Sequence, residues 1–485
     1  MNVKIICRIT GIAVLITAAF MLVPLLIAAI DEQPRNIWAY AATILAMCIF
    51  GAGMLFFSRR RDNSFYAQEG LAATGISWII MSLFGALPFV LGGEIPGYVD
   101  ALFEIISGFT TTGASILSDA EKLSRCNLYW RSFSHWLGGM GMLVFILAVV
   151  PQARKNAGFG MHLLRAESPG PSVGKLTPHL GKTAKILYGL YIVLTLICIG
   201  FLLLGGLSFF ESLCIAFGTA GTGGFAIRST STAEYSVYVQ SVITVFMLLF
   251  GINFSLYYLL LLGQTKAVFK NEELRMYLSI AAASVLLITF NTWGMYESGS
   301  EAFHHAAHQV SSIMTTTGFA SVDFEQWPAF SKAILFVLMF IGAMAGSTGG
   351  GLKVSRVILL LKSGYRNIMK SLHPRRVLTI RMDGRPVSED VSNSVNAYFA
   401  VYFTVLLLSF VLVSVDNYSV GTNISAVAAC LNNIGPGFEL VGATGNYGHY
   451  SVFSKLVLSA DMLLGRLEIF PLLVLFSADT WSRSR

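Results

Sequence analysis

The sequence predicts an all-α integral membrane protein. Four pseudo-repeats of helix, re-entrant loop and helix are expected around one central axis, behind an extra N-terminal helix pair, in about ten transmembrane helices. Three observations lead there. Only 12% of the 485 residues are charged and 55% are hydrophobic, whereas a soluble domain carries about 25% charge. Apolar runs cover residues 9–30, 37–57, 71–92, 132–151, 185–206, 237–262, 278–293, 331–345, 398–415 and 456–476, most near the length of about 20 residues that spans a bilayer as helix. Between them recur four glycine-centred loops: Thr111-Thr112-Gly113-Ala114, Gly221-Thr222-Gly223-Gly224, Thr316-Thr317-Gly318-Phe319 and Asn433-Ile434-Gly435-Pro436.

The elements follow in order. Lys4 and Arg8 precede the first run, which is too long for a signal-peptide core and has no clear small-residue cleavage site after it, so an uncleaved span is expected. Residues 1–62 hold the N-terminal pair, without a glycine loop. The repeats are then assigned to 63–151, 152–262, 263–392 and 393–485, each with one loop. Gly113, Gly223, Gly318 and Gly435 are separated by 110, 95 and 117 residues. Short mixed-polarity stretches at 99–110, 208–219, 300–315 and 421–432 precede the loops. They are too short to cross, and loop backbone at membrane depth must be shielded by protein or line water.

Basic residues set the orientation. Arg59-Arg60-Arg61 and the stretches Arg154 to Lys185, Lys266 to Arg275 and Arg356 to Arg385 hold most of the positive charge, while the alternate loops contain only Arg35, Lys122, Arg125, Arg131, Arg228, Lys332 and Lys455. The positive-inside rule makes the dense loops cytoplasmic, with both termini inside and all four glycine loops outside. The net charge of +7 is therefore topogenic, and no nucleic-acid partner is implied. The basic, Gly- and Pro-bearing connector 152–184 is expected to be loosely structured, and 362–392 suits anionic lipid or a protein partner. Cys7, Cys48, Cys126, Cys198, Cys214 and Cys430 lack CxxC spacing and are expected to be packing residues without a disulfide.

Four such loops around one axis place backbone carbonyls where they replace the hydration shell of a potassium ion. The expected filter residues are Thr111, Thr112 and Gly113; Gly221, Thr222 and Gly223; Thr316, Thr317 and Gly318; and Asn433, Ile434 and Gly435. Glycine suits near-parallel carbonyls whose dihedrals a Cβ opposes, and the threonines brace that backbone. K+ is the only metal implied, as transported ion. His304 and His308 share a helix face at i, i+4, but without a third ligand polar packing is expected rather than zinc. No Walker-type loop is present, no cofactor is implied, and the chain is not expected to be an enzyme.

Residues 342–351 hold five glycines in ten positions. Each costs about 1 kcal/mol relative to alanine in a helix, so a broken helix with a flexible loop near the bilayer centre is expected, with Lys353 at its inner end. Arg466 lies inside the last apolar run, where a lone guanidinium costs about 2.5–3.5 kcal/mol on insertion scales. A structural ion pair to another helix and a fixed charge beneath the filter both answer that cost. Glu468 and Asp461 are the nearest acidic residues, though neither has i, i+3 or i+4 spacing from it.

These four loops, the segment Gly342-Ala343-Met344-Ala345-Gly346-Ser347-Thr348-Gly349-Gly350-Gly351 and Gly465-Arg466-Leu467-Glu468 resemble the Trk/Ktr/HKT superfamily of potassium transporters, most nearly its bacterial TrkH/TrkG branch. The resemblance covers nearly the whole chain, including the extra N-terminal spans. It implies potassium preference through Gly113, since sodium-permeable relatives carry serine there. It also implies that Gly346, Gly349, Gly350, Gly351 and Lys353 belong to a gating loop beneath the filter, and it favours Arg466 as a charge barrier. The fourth loop departs from symmetry at Ile434-Gly435-Pro436. The resemblance further implies a homodimer with one pore per protomer, a cytosolic TrkA-type nucleotide-binding regulatory subunit, and the bacterial inner membrane.

Channel-like uptake is the leading expectation, because intramembrane carboxylates suited to a proton relay are not obvious. Potassium/proton symport through the same pore is the alternative. A non-conducting membrane scaffold is the rival from another class. A carrier of small organic solutes is disfavoured by the sparse intramembrane charge.

Overall fold

A computed structural model describes residues 2–58, 67–141, 180–376 and 378–476. The first span combines α1 (Val3–Phe20) and α2 (Leu22–Ile30), and α3 (Pro34–Phe57), opened by its proline, forms the second. The third joins α4 (Ala67–Gly85) to α5 (Leu87–Gly92). After these come α6 (Tyr98–Phe109) and α7 (Arg125–Gly139). The rest of the apolar run 132–151 and most of the connector 152–184 lie outside the described residues.

The chain resumes with α8 (Leu180–Leu204), α9 (Phe209–Ala220), α10 (Val237–Phe250), α11 (Phe254–Leu261) and α12 (Thr265–Lys270). It continues through α13 (Glu272–Thr292), α14 (Gly299–Met314), α15 (Ala329–Ile341) and α16 (Val354–Leu372). A two-stranded antiparallel hairpin, β1 (Arg381–Met382) and β2 (Arg385–Pro386), precedes α17 (Glu389–Val413), α18 (Val420–Leu431), α19 (Val452–Arg466) and α20 (Phe470–Phe476).

Among the described residues six segments are long and apolar enough to cross a membrane, and seven if α10 and α11, bent by 89°, count as one. Several of the ten apolar runs are thus interrupted. Run 237–262 turns at Gly251, after which Asn253 caps α11 by accepting a hydrogen bond from Ser255 N. Run 331–345 stops at Ile341, because Gly342 takes φ +72°. Run 456–476 breaks after Arg466, where Glu468 and Ile469 hold φ of 55° and 68°. Large apolar side chains such as Ile192, Val193, Leu196 and Leu204 of α8 stay exposed on the outer faces, as lipid-facing surface should.

The short helices α6, α9, α14 and α18 lie within one residue of the four stretches expected from sequence. Serine starts three of them: Ser208 with Glu211 forms a capping box, Ser298 accepts from Glu301 N, and Ser419 accepts from Thr422 N. Longer helices interleave with the short ones in a closed cycle. α7 packs on α9, α10 on α14, α15 on α18, and α19 returns to α6. That cycle brings the four glycine loops against one another.

Candidate functional site

All four short helices end in the same way. The residue at the turn adopts the left-handed region: Thr111 at φ 55°, Thr222 at 52°, Thr316 at 59° and Asn433 at 57°. The next amide reaches back to the carbonyl five residues earlier, in Thr112 to Ser107 (2.9 Å), Gly223 to Gly218 (2.8 Å), Thr317 to Ser312 (2.8 Å) and Ile434 to Ala429 (2.9 Å). This is the Schellman termination, normally built on glycine. A β-branched residue there is strained by about 1–3 kcal/mol, and such strain persists only where the surroundings over-determine it.

The shared turn sets the register. Two residues after the left-handed position stands a glycine of positive φ: Gly113 (82°), Gly224 (76°), Gly318 (87°) and Gly435 (96°). The second loop is therefore offset by one from the expected triplet. Gly221 is the helix-capping residue, and Thr222, Gly223 and Gly224 correspond to Thr111, Thr112 and Gly113. Sequence inspection missed Gly224 because Gly221, Gly223 and Gly224 crowd one loop. Counting from the helix end would have found it.

The loops meet cyclically. A Cβ added to Gly113 would overlap the carbonyl oxygen of Gly223; one on Gly224 would overlap that of Thr317; and one on Gly318 that of Ile434. A Cβ on Gly435 would come within 2.7 Å of the carbonyl oxygen of Thr112, closing the cycle. Each glycine thus abuts the carbonyl that precedes the equivalent glycine of the next loop. Thr112, Gly223, Thr317 and Ile434 supply four carbonyls at equivalent positions around one centre, and no side chain at those glycines is compatible with it. All four glycines open onto one cavity of about 120 Å³, also lined by Ser115, Ser231, Thr444 and Asn446.

Buried polar groups hold the loops together. Arg131 of α7 pairs with Glu104 of α6 at 2.6 Å, donates to Ala226 O at 2.8 Å, and stacks its guanidinium 3.5 Å from the Phe225 ring centroid. Glu104 also accepts from Ser115 Oγ and Ile116 N. His135 takes the Phe225 amide on Nε2 (3.2 Å) and lies 2.9 Å from Gly108 O through Nδ1. The neutral Nδ1–H tautomer satisfies both contacts. The positive charge of Arg131 at the cavity wall is thus matched by Glu104, and Arg228 is matched by Glu211 (3.2 Å) and Glu234 (3.0 Å).

The helix interruption packs against the third and fourth loops. Residues between Ile341 and Val354 are non-helical, with Gly342, Gly346, Gly351 and Lys353 at positive φ. Gly350 N donates to Thr316 Oγ1 at 2.6 Å and Gly351 N to Asn432 O at 3.1 Å. A Cβ on Gly349 would sit 2.9 Å from Thr315 O. Lys353 is buried and donates to Gly349 O inside the loop. Arg466 bridges the loop to α7, donating to Thr348 O at 2.9 Å, Gly138 O at 2.5 Å and Gly139 O at 2.6 Å. Of the two nearby acids, Glu468 pairs with Arg356 and Asp461 accepts from Ser409 at 2.6 Å.

The histidines diverge. His304 meets Gln240, His305 meets Ser321, and His308 lies between Thr232 and Thr244. No cluster of three metal-ligating side chains occurs among the described residues. All six cysteines are free.

Residues 37–483 match the TrkH family model, described as a cation transport protein. The chain is 34% identical to the Trk system potassium uptake protein TrkH of Salmonella typhimurium over 491 positions, covering 99% of this chain and 100% of that one. It is 33% identical to the Trk system potassium uptake protein TrkG of Escherichia coli, covering 99% of each. The crystal structure of the potassium transporter TrkH from Vibrio parahaemolyticus superposes with a TM-score of 0.88 at 31% identity, covering 99% of this chain and 100% of that one. Full-length similarity in sequence and structure, joined to the matching model, means that this chain belongs to the TrkH family of cation transport proteins.

Proposed function

We propose that this chain takes up potassium across a bacterial inner membrane through a single-chain pore. The observation that carries the reading is the cyclic set of carbonyls from Thr112, Gly223, Thr317 and Ile434, each against the next loop's glycine. Backbone oxygens supply a dehydrated cation with ligands and no net charge. The relatives named as potassium uptake proteins support the choice of ion. In this reading the chain is four pseudo-repeats of about ten helices, divided at 62, 151, 262 and 392, around a conducting axis through the loops. The filter comprises Thr111–Gly113, Thr222–Gly224, Thr316–Gly318 and Asn433–Gly435.

The interruption at 342–353 is the gate. Its contacts with Thr316, Asn432 and Arg466 lie on one side of the loops, where a hydrated ion must pass. Arg466 both pins the loop and adds positive charge to the path. Charge placement supports cytoplasmic termini and an outward-facing cavity. A membrane potential supplies about 2.3 kcal/mol per charge per 100 mV, or roughly fifty-fold accumulation, enough for uptake without a second ion. By family analogy the protein works as a homodimer with a cytosolic TrkA-type nucleotide-binding subunit. One observation favours proton coupling instead: Asp461 is a carboxylate 1% exposed inside the helical core.

Purified protein in liposomes tests the proposal by comparing potassium, rubidium, sodium and lithium fluxes. Potassium and rubidium should pass faster than the smaller ions. Equal rates for all four would overturn the filter reading. A reversal potential that moves with pH would select symport, and one that follows potassium alone would select channel-like conduction.

A further inference from the structure

We infer that Glu273, at the start of α13, is the positioning residue that staples the interruption at 342–353 shut, and that Glu272 beside it ties this staple to the cytoplasmic hairpin 381–386. The inference rests on the gating reading of that segment. Glu273 is 2% exposed, and its Oε1 accepts from Ala345 N at 2.8 Å and from Ser355 N at 3.0 Å. Those amides lie near the two ends of the interruption. A single oxygen therefore fixes the distance between the two ends of the loop. Both are charge-assisted hydrogen bonds in a buried setting, about twice as strong as neutral ones.

The neighbouring residue faces the other way. Glu272 N donates to Asp383 Oδ1 at 2.7 Å, Asn271 Nδ2 donates to Asp383 Oδ2 at 3.0 Å, and Asp383 N returns a bond to Glu272 Oε2 at 3.3 Å. Lys362 of α16 completes the clamp by donating to Glu272 and, at 2.7 Å, to Arg381 O. Asp383 and Gly384 occupy the two-residue turn of the hairpin at φ 51° and 77°, so the tip has one defined shape. Asn271 itself caps α13 by accepting from Leu274 N at 2.9 Å. One helical turn thus carries hairpin contacts on one residue and loop contacts on the next. Displacing the hairpin tilts that turn and lengthens both Glu273 bonds together. The hairpin is the lever, Glu273 the catch.

Potassium flux through the purified protein in liposomes tests this, with four variants beside the native chain. Glu273→Ala should raise flux about ten-fold, the effect of losing charge-assisted bonds from the closed state. Glu273→Gln keeps an acceptor oxygen but loses the charge, so a rate between those of the native chain and Glu273→Ala, about three-fold above native, is expected. Asp383→Ala, on the exposed hairpin, should raise flux about three-fold through loss of the clamp. The potassium-to-sodium ratio should not change in any of them, which a general loosening of the fold would not allow. A variant lacking residues 346–350 is the control for the gate itself. If that variant conducts more while Glu273→Ala and Asp383→Ala remain at native flux, the staple is refuted and the gate stands. If the shortened loop does not raise flux, the gating reading falls and the staple with it. Should Glu273→Ala not assemble, labelling of Ser347→Cys by an impermeant thiol reagent in the Asp383→Ala background decides: faster labelling than in Ser347→Cys alone supports the lever, and unchanged labelling refutes it.

Discussion

Asn433 donates its side-chain amide to the Thr112 hydroxyl at 3.0 Å, although 321 residues separate them. The same amide donates to Met462 O at 2.8 Å. One side chain in the last loop thereby holds the first loop and α19, tying the two ends of the polypeptide together where the cycle closes. The other three loops carry threonine at the equivalent left-handed position, and none of these has an amide to spare.

Asn433→Ala should lower thermal stability in detergent by about 1–3 kcal/mol, the value of the lost bonds. Asn433→Gly should be milder by about 1 kcal/mol, because glycine accepts the left-handed backbone that opposes alanine. Unfolding followed by intrinsic fluorescence separates the two. Equal midpoints would mean that backbone strain contributes nothing there.

Gly113→Ser and Gly224→Ser should damage ion choice alike. Both glycines have positive φ, and at both a Cβ collides with a carbonyl of the next loop. Strain of about 1–3 kcal/mol at the ring corresponds to a fall in potassium-over-sodium preference of about ten-fold. Flux ratios in liposomes measure it. A non-conducting scaffold would show no transport effect from either substitution.

The buried Glu104–Arg131 pair should be strongly coupled. Arg131→Ala leaves a buried carboxylate without its cation and should cost about 3–5 kcal/mol. The double variant Glu104→Ala, Arg131→Ala should lose less than the sum of the two single changes. A double-mutant cycle on unfolding midpoints reads the coupling, and strict additivity would contradict it.

Arg466→Ala should raise potassium flux about ten-fold by releasing Thr348 O from Gly138 and Gly139. Arg466→Lys keeps the charge but has no planar fork to span three carbonyls, so an intermediate rate is expected. A lysine variant at the native rate would assign the effect to charge alone.

Membrane class, the four short helices and the break after Ile341 were legible because each depends on local chemistry. Apolar length separates spanning runs from short ones, a serine followed by an acid or hydroxyl opens a helix, and clustered glycines end one. The interruptions at Gly251 and after Arg466 were less legible. At the first bend only Gly251 and Asn253 interrupt the apolar run, too small a change in hydropathy to show a break. At the second, Arg466 and Glu468 stand out as charges, but charge alone does not say that the helix ends there.

Tertiary contacts alone set the carbonyl partners of Arg466 and the bonds from Glu273 to both ends of the interruption. Most of these interactions run through main-chain oxygens, which every residue type offers, or amide N–H groups, which all but proline offer. Composition and spacing therefore say that a backbone-lined centre is possible. Which oxygens surround it depends on how segments hundreds of residues apart are brought together by packing.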